Sequence, residues 1–334
     1  VGGMGGRVSA RSRQPKRAKR RPAARPRAAA GLADLPASLL SWLNLLDPIA
    51  LWAEETRRSL ADPAFQRDTE FLETLLPLME RLNDYFDAEI RGFDNVPDAG
   101  PMLLVGNHSG GMLTPDTTAF ISGWYRERGI DSPLIGLAFD AAFGVPGMET
   151  LMRKIGEVPA SSENATRALD SGAAVLVYPG GAREVLRPWS DRNKIDFNRH
   201  MGFIKLALRK GVPVIPVVGH GGHNSTIILS RGEGIAKALG FDRIRMPAIP
   251  ILLQIPWGIS LFGMPGIPLP AKITLQICQP LDWSGFTPDQ ADDPAVLEQC
   301  YDEITGVMQN TLDELARETP YPVLSRLRSL VPFP

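Results

Sequence analysis

A histidine at the end of an apolar run, with a carboxylate a few residues downstream, has the parts of a general base. In Leu103-Leu104-Val105-Gly106-Asn107-His108 the imidazole follows a segment that reads as a buried strand, where packing needs no polar side chain. In open α/β sheets such strand ends are where ligands bind. Ser109, Gly110 and Gly111 then let a substrate approach backbone N–H groups, and Asp116 stands eight positions after His108 at the start of a helical pattern. A carboxylate on the imidazole would fix its tautomer and stabilise the imidazolium formed when His108 removes a hydroxyl proton. The competing account makes His108 a helix cap and Asp116 an exposed first-turn carboxylate.

A second strand runs into a polar, glycine-rich turn, Val175-Leu176-Val177-Tyr178-Pro179-Gly180-Gly181-Ala182-Arg183-Glu184, which weakens the capping account. The substrate-binding candidates are Asn107, Ser109, Gly110, Gly111, Tyr178, Pro179, Gly180, Gly181, Arg183 and Glu184. Arg183 either contacts a phosphate or, like most adjacent Arg-Glu pairs, makes separate solvated interactions of little energetic weight. His220 and His223, in Gly219-His220-Gly221-Gly222-His223-Asn224, follow another strand end and are candidates to line the pocket. No metal is expected, because no third ligand accompanies them. His200 has no partner suggested by the sequence and reads as structural. There is no Gly-x-Ser-x-Gly elbow, Walker loop, dinucleotide glycine fingerprint or helix-borne zinc motif, so serine hydrolysis, phosphoryl transfer and hydride transfer find no support.

These side chains need a scaffold, and the sequence supplies one. Residues 102–105, 173–177, 213–218 and 273–277 are short apolar runs bounded by breakers, and read as strands of a largely buried sheet. Helical patterns at 115–128, 163–170 and 198–210 lie between them, the last closing on Arg209-Lys210-Gly211, a basic final turn with a C-cap glycine. Asp62-Pro63 reads as the N-cap and first-turn proline of a helix over 62–90, kinked near Pro77. A stripe from Val296 through Ile304 to Leu315 predicts a helix from Pro294 to about residue 317. The alternation indicates a single α/β domain, a mostly buried mixed or parallel sheet flanked by helices.

Composition places that domain in context. Residues 1–30 hold ten Arg or Lys and no Asp or Glu, although the whole chain has a net charge of −1. Such a tail has too little apolar surface to offset its ordering entropy and is expected to be disordered. Its charge suits a polyanion, either nucleic acid or an anionic membrane leaflet. The tail has no aromatic residue for base stacking, so no nucleic acid is expected. Residues 32–52 carry Leu39, Leu40, Trp42, Leu43, Leu46 and Trp52, compatible with an interfacial helix or a helix packed on the core. Residues 246–271 have no charge but six prolines, which argues against a membrane span and for a hairpin at the bilayer surface or a cover over an acyl-chain cavity. The basic start is too long for a signal peptide, and Cys278 and Cys300 show no disulfide or zinc pattern. The expected location is the cytoplasmic face of a membrane, peripheral or monotopic, with the oligomeric state open.

Three segments in order resemble the glycerolipid acyltransferase family. Its hallmarks are an Asn-His followed by an Asp, a Phe-Pro-Glu-Gly type loop and a Val-Pro-Ile-Ile-Pro-Val type strand. The counterparts here are Asn107-His108 with Asp116, Tyr178-Pro179-Gly180-Gly181, and Val212-Pro213-Val214-Ile215-Pro216-Val217. The resemblance covers about residues 90–285 and is nearest the neutral-lipid, diacylglycerol acyltransferase-like branch, with its Pro-Gly-Gly-x-Arg-Glu pattern. Three departures stand out. The usual His-x4-Asp spacing would put the carboxylate at Leu113; Gly180 replaces the loop glutamate, which Glu184 could supply; and Ser161 stands where phosphate-accepting members place an Arg.

The resemblance implies acyl-CoA as co-substrate, no other cofactor, a lipid acceptor that is neutral rather than phosphorylated, and His108 with Asp116 as catalytic residues. Lysophosphatidic acid is the alternative acceptor, and a non-catalytic membrane lipid-binding protein the alternative class. The parts are then a basic tail at 1–30, a helical region at 31–90 that is a candidate for the membrane interface, the catalytic domain at 91–285, and a C-terminal helix and tail at 286–334.

Overall fold

The computed structural model describes residue 2 and residues 67–143, 147–239, 248–261 and 266–330. The basic tail, the expected interfacial helix at 32–52 and the Asp62-Pro63 cap lie outside the described residues. Helix α1 (Thr69–Phe86) begins where Asp68, in extended conformation, accepts the Phe71 N–H at 2.9 Å. Pro77 lies within it, and the helix ends at Asp87 in the left-handed region rather than running to residue 90. The chain turns there because Glu89 N–H is taken by Ile273 C=O, which starts a strand.

That strand, β1 (Glu89–Arg91), joins β2 (Met102–Gly106), β3 (Leu134–Ala138), β4 (Glu157–Pro159), β5 (Ala174–Val177), β6 (Val214–His220) and β10 (Thr274–Ile277) in one seven-stranded sheet. The order is β1-β10-β6-β2-β5-β3-β4; β10 runs antiparallel to β6, and every other pairing is parallel. The sheet is therefore mixed and mostly parallel, with helices on both faces. Leu103, Val105, Val175 and Val218 pack toward α4 (Ser162–Asp170), α6 (Gly202–Lys210) and α8 (Pro294–Glu318). Alternate residues Met102, Leu104, Leu176 and Ile215 pack toward α1 and α2 (Pro115–Arg128), as the period of two in a strand requires.

Beyond α3 (Met148–Lys154), two helices begin where local chemistry dictates. α4 starts after Ser161, whose hydroxyl accepts the Asn164 N–H at 3.0 Å, an ordinary N-cap. α6 starts only at Gly202 because Asn198 and Arg199, which the helical pattern included, have φ of 52° and 58°.

The charge-free segment supplies β8 (Ile251–Gln254) and β9 (Gly258–Leu261), an antiparallel hairpin that pairs with β7 (Ile227–Ser230) in a second, three-stranded sheet. Leu252 and Ser260 face inward, while Leu253, Ile259 and Leu261 face out, with Leu253 directly opposite Ile259. The chain returning from this hairpin is tied to the main body, Leu269 N–H donating to Ser225 C=O at 2.8 Å and the Tyr85 hydroxyl to Pro268 C=O at 2.6 Å. Among the described residues no helix is long and apolar enough to cross a membrane.

Candidate active site

Strand order reverses around β2: the chain passes from β2 to β3 on the far side of β5, and later from β5 to β6 on the other side of β2. A crevice at the carboxyl end of the central strand is the usual result, and His108 stands there.

Asn107 secures the strand end. Its Nδ2 donates to Gly219 C=O at 2.9 Å and its Oδ1 accepts Gly219 N–H at 2.7 Å, continuing the β2–β6 ladder with a side chain. Asn107 is buried with both ends of the amide engaged, so the substrate contact expected for it gives way to a positioning role. Asn107→Ala leaves both Gly219 groups buried and unpartnered, and at ~1–3 kcal/mol for each such group should lower the melting temperature clearly, as thermal denaturation would show. Asn107→Asp should fall between, since it keeps an acceptor for the Gly219 N–H and loses the donor.

The imidazole is held from three directions. The His108 backbone N–H donates to Glu184 Oε2 at 3.2 Å. Its ring stacks on Tyr178, centroids 4.2 Å apart and planes 13° from parallel. Its Nδ1 is 3.2 Å from Asp116 Oδ2, and Thr117 Oγ1 is 3.4 Å from the same nitrogen. Nε2 is thus the nitrogen left to meet a substrate, in a side chain 16% exposed. Gly106 makes the stacking possible, because a Cβ there would fall 2.4 Å from the Tyr178 ring.

Asp116 is 1% exposed, which rules out the exposed first-turn account. Its Oδ2 also accepts Ser109 N–H at 2.8 Å. The long spacing is taken up by a tight loop, with positive φ at Gly110, Gly111 and Thr114 just before Pro115 opens α2. Gly110 is required where it stands, since its φ is 87° and a Cβ would lie 2.3 Å from Pro115 Cδ.

The second loop carries a carboxyl where the first-named glycine leaves space. A Cβ on Gly180 would sit 2.5 Å from Glu184 Cδ, so the Glu184 side chain occupies the room a side chain at 180 would take. Glu184 lies in the single turn α5 (Gly181–Val185) and is 1% exposed. Its Oε1 accepts from Arg187 Nη2 at 3.2 Å, and Arg187 is 4% exposed. Burial pushes the Glu184 carboxyl up to about 8 against the pull of Arg187. Arg183, by contrast, is exposed, its carbonyl accepting from Arg231 Nη2 at 3.3 Å. The cation that organises the loop is therefore Arg187, a residue the sequence reading did not single out; its i, i+3 spacing from Glu184 was the available signal.

Gly181 N–H closes the turn on Tyr178 C=O, and His200 Nδ1 lies 2.9 Å from Pro179 C=O, giving His200 a partner after all. Burial drives the Tyr178 phenol well above its ordinary range, so it is neutral. His220 is tied away from the crevice, its Nε2 lying 3.0 Å from Thr319 C=O. His223, in the turn α7 (Gly222–Ser225), is buried, and that burial with Arg187 nearby pushes its imidazole down to about 3. Among the described residues no group of three or more His, Cys, Asp or Glu could hold a metal ion.

Residues 87–219 match the family model described as Acyltransferase. An uncharacterised protein of Mycobacterium tuberculosis is 29% identical over 232 residues, covering 69% of this chain and 62% of the relative. Phytyl ester synthase 1 of Arabidopsis thaliana, a chloroplastic protein, is 33% identical over 130 residues, 38% of this chain and 18% of that one. A Bos taurus protein described as a DGAT1/2-independent enzyme synthesizing storage lipids is 26% identical over 188 residues, 56% of this chain and 54% of the relative. The chain thus spans less than two thirds of the length of these relatives.

Proposed function

We propose that this chain, an acyltransferase by the family domain at residues 87–219, moves a fatty acyl group from acyl-coenzyme A to the hydroxyl of a neutral lipid. The supporting observation is the contact of His108 Nδ1 with the buried Asp116 carboxylate, 3.2 Å, which reserves Nε2 for chemistry. In the proposed reaction Nε2 takes the hydroxyl proton as the oxygen attacks the thioester carbonyl carbon. The C–O bond forms and the carbonyl electrons move to oxygen. Collapse of this tetrahedral species breaks the C–S bond, and the departing thiolate takes the proton from the His108 imidazolium. No acyl-enzyme is formed. Amides of the two glycine turns face the oxyanion in this scheme; those of His108, Ser109 and Gly181 already donate to Glu184, Asp116 and Tyr178, which leaves Gly110, Gly111 and Gly180 as the candidates.

Two observations favour a neutral acceptor. Ser161, where the family resemblance implies an arginine in phosphate-accepting members, serves as the N-cap of α4. Two of the relatives described above are named for phytyl esters and for storage lipids. Labelled acyl-CoA offered with monoacylglycerol, diacylglycerol, long-chain alcohols and lysophosphatidic acid tests the proposal directly. Transfer to lysophosphatidic acid alone would overturn the acceptor class, and vesicle binding with no transfer to any acceptor would overturn the enzyme.

A bilayer-resident acceptor requires contact with lipid, and the second sheet is suited to it. Ile259 is 73% exposed, and Leu229, Leu253, Ile255, Trp257 and Leu261 are exposed around it, while Ile228, Leu252 and Ser260 face inward. An outward face made of large apolar side chains is the reverse of a sheet made for water, and Trp at its turn fits a membrane interface. In vesicle flotation, Leu253→Glu with Ile259→Glu should reduce binding by roughly tenfold or more, given ~1.5–3 kcal/mol for each large apolar side chain buried. Transfer to a soluble short-chain alcohol should be kept.

A further inference from the structure

Behind the base, three buried polar atoms have no hydrogen-bond partner: Ser109 Oγ, the second Asp116 oxygen Oδ1, and His223 Nδ1. Close approaches bring their segments together. Ser109 packs on Gly222 so tightly that a Cβ there would lie 2.1 Å from the hydroxyl, and Asp116 Cβ is 3.7 Å from where a Cβ on Gly219 would be. His223 follows Gly222 directly and is 5% exposed. The charged and titratable groups acting on it are Arg187 beyond α5, Asp116 from α2 and His108 from the loop after β2. Its ring is neutral at physiological pH, and a neutral imidazole has one N–H to donate. Buried polar atoms left unpaired beside a functional group call for a partner.

We infer that His223 is a positioning residue for the base, its Nδ1–H donating to Asp116 Oδ1 through one bridging water. Both carboxylate oxygens are then satisfied, Oδ2 by Ser109 N–H and His108, Oδ1 by His223. The carboxylate is fixed in orientation and its basicity is moderated, which sets how strongly it holds the His108 imidazolium. The inference rests on the proposed role of His108 as base, and it concerns a residue beyond the end of the family match at 219. It also accounts for a histidine buried against Arg187, where mere space-filling would favour an apolar residue.

The chain has only four histidines, so ring spectra of the full-length protein labelled with nitrogen-15 at histidine are readable one by one. Wild type is compared with His223→Leu, which keeps volume without a donor, and His223→Asn, whose amide nitrogen stands in for Nδ1. Loss of the donor makes the Asp116 carboxylate more basic, so His108 should bind its proton roughly tenfold more tightly in the leucine variant, the size expected of a hydrogen bond to a charged group. The asparagine variant should return it toward wild type. Where acyl transfer is measured, the acidic limb of its pH profile should move upward in parallel. Identical His108 titration in all three proteins overturns the inference, as does an asparagine variant that titrates like the leucine one. A moved His108 titration in a protein that transfers no acyl group would uphold the positioning while refuting the proposed reaction.

Discussion

Replacing His108 with alanine should reduce acyl transfer by roughly 10²–10⁴-fold, the range of a positioned general base, with little change in melting temperature. The side chain is partly exposed and follows the carboxyl end of β2. The scaffold around it is held by other groups, Asn107 on Gly219 and Asp116 on Ser109 N–H. Turnover of labelled acyl-CoA with the best acceptor of the panel, alongside a thermal melt, separates the two effects. Wild-type turnover in the variant would remove the proposed mechanism.

The second large effect concerns stability. Glu184→Ala strands the Arg187 guanidinium in a nearly solvent-free position, and a guanidinium does not shed its proton. A cost of about 1.5–3 kcal/mol is expected for losing the acceptor of a buried charged donor, together with loss of the anchor on His108 N–H. Arg187→Ala is different, because the carboxyl it leaves behind can take up a proton. Its penalty should stay level while Glu184 is protonated and grow as pH rises above about 8. The same logic gives wild type a pH dependence: Glu184 moves from its ordinary 4.5 up to about 8 on folding, so in that window the folded state holds a proton the unfolded state has lost. Stability from this group therefore falls as pH rises through the window, and Glu184→Gln, with no proton to lose, should flatten the slope. Urea unfolding of the three variants and wild type at pH 5, 8 and 9.5 measures this; a penalty for Arg187→Ala that does not grow between pH 8 and 9.5 would contradict it.

Much of the scaffold was legible because β2, β5, β6 and β10 are apolar runs, buried by helices or neighbouring strands. β3, β4 and β1 were not read, for separate reasons. Gly136 dilutes the first, Pro159 sits in the three-residue second, and the third is three residues, Glu89 and Arg91 included, recruited by pairing with β10. At the site, His108 and Asp116 were found by type, but their spacing argued for distance. Contact depends on a backbone reversal at Gly110, Gly111 and Thr114 that residue counting does not reveal. Arg183 drew notice by standing beside Glu184, whereas one helical turn carries the carboxyl to Arg187. The uncharged segment was visible as a whole; which of its side chains face outward follows only from strand register.

The short ties from Pro268 to Tyr85 and from Leu269 to Ser225 have a geometric meaning under the proposed docking. Ser225 lies two residues from His223, and Tyr85 is in α1, so the lipid-facing sheet is stapled directly to the framework that carries the base. A leaflet resting on that sheet would stand at a set height from Nε2. Acceptors would then be sorted by the depth at which their hydroxyl lies along the bilayer normal, before any pocket contact discriminates among head groups.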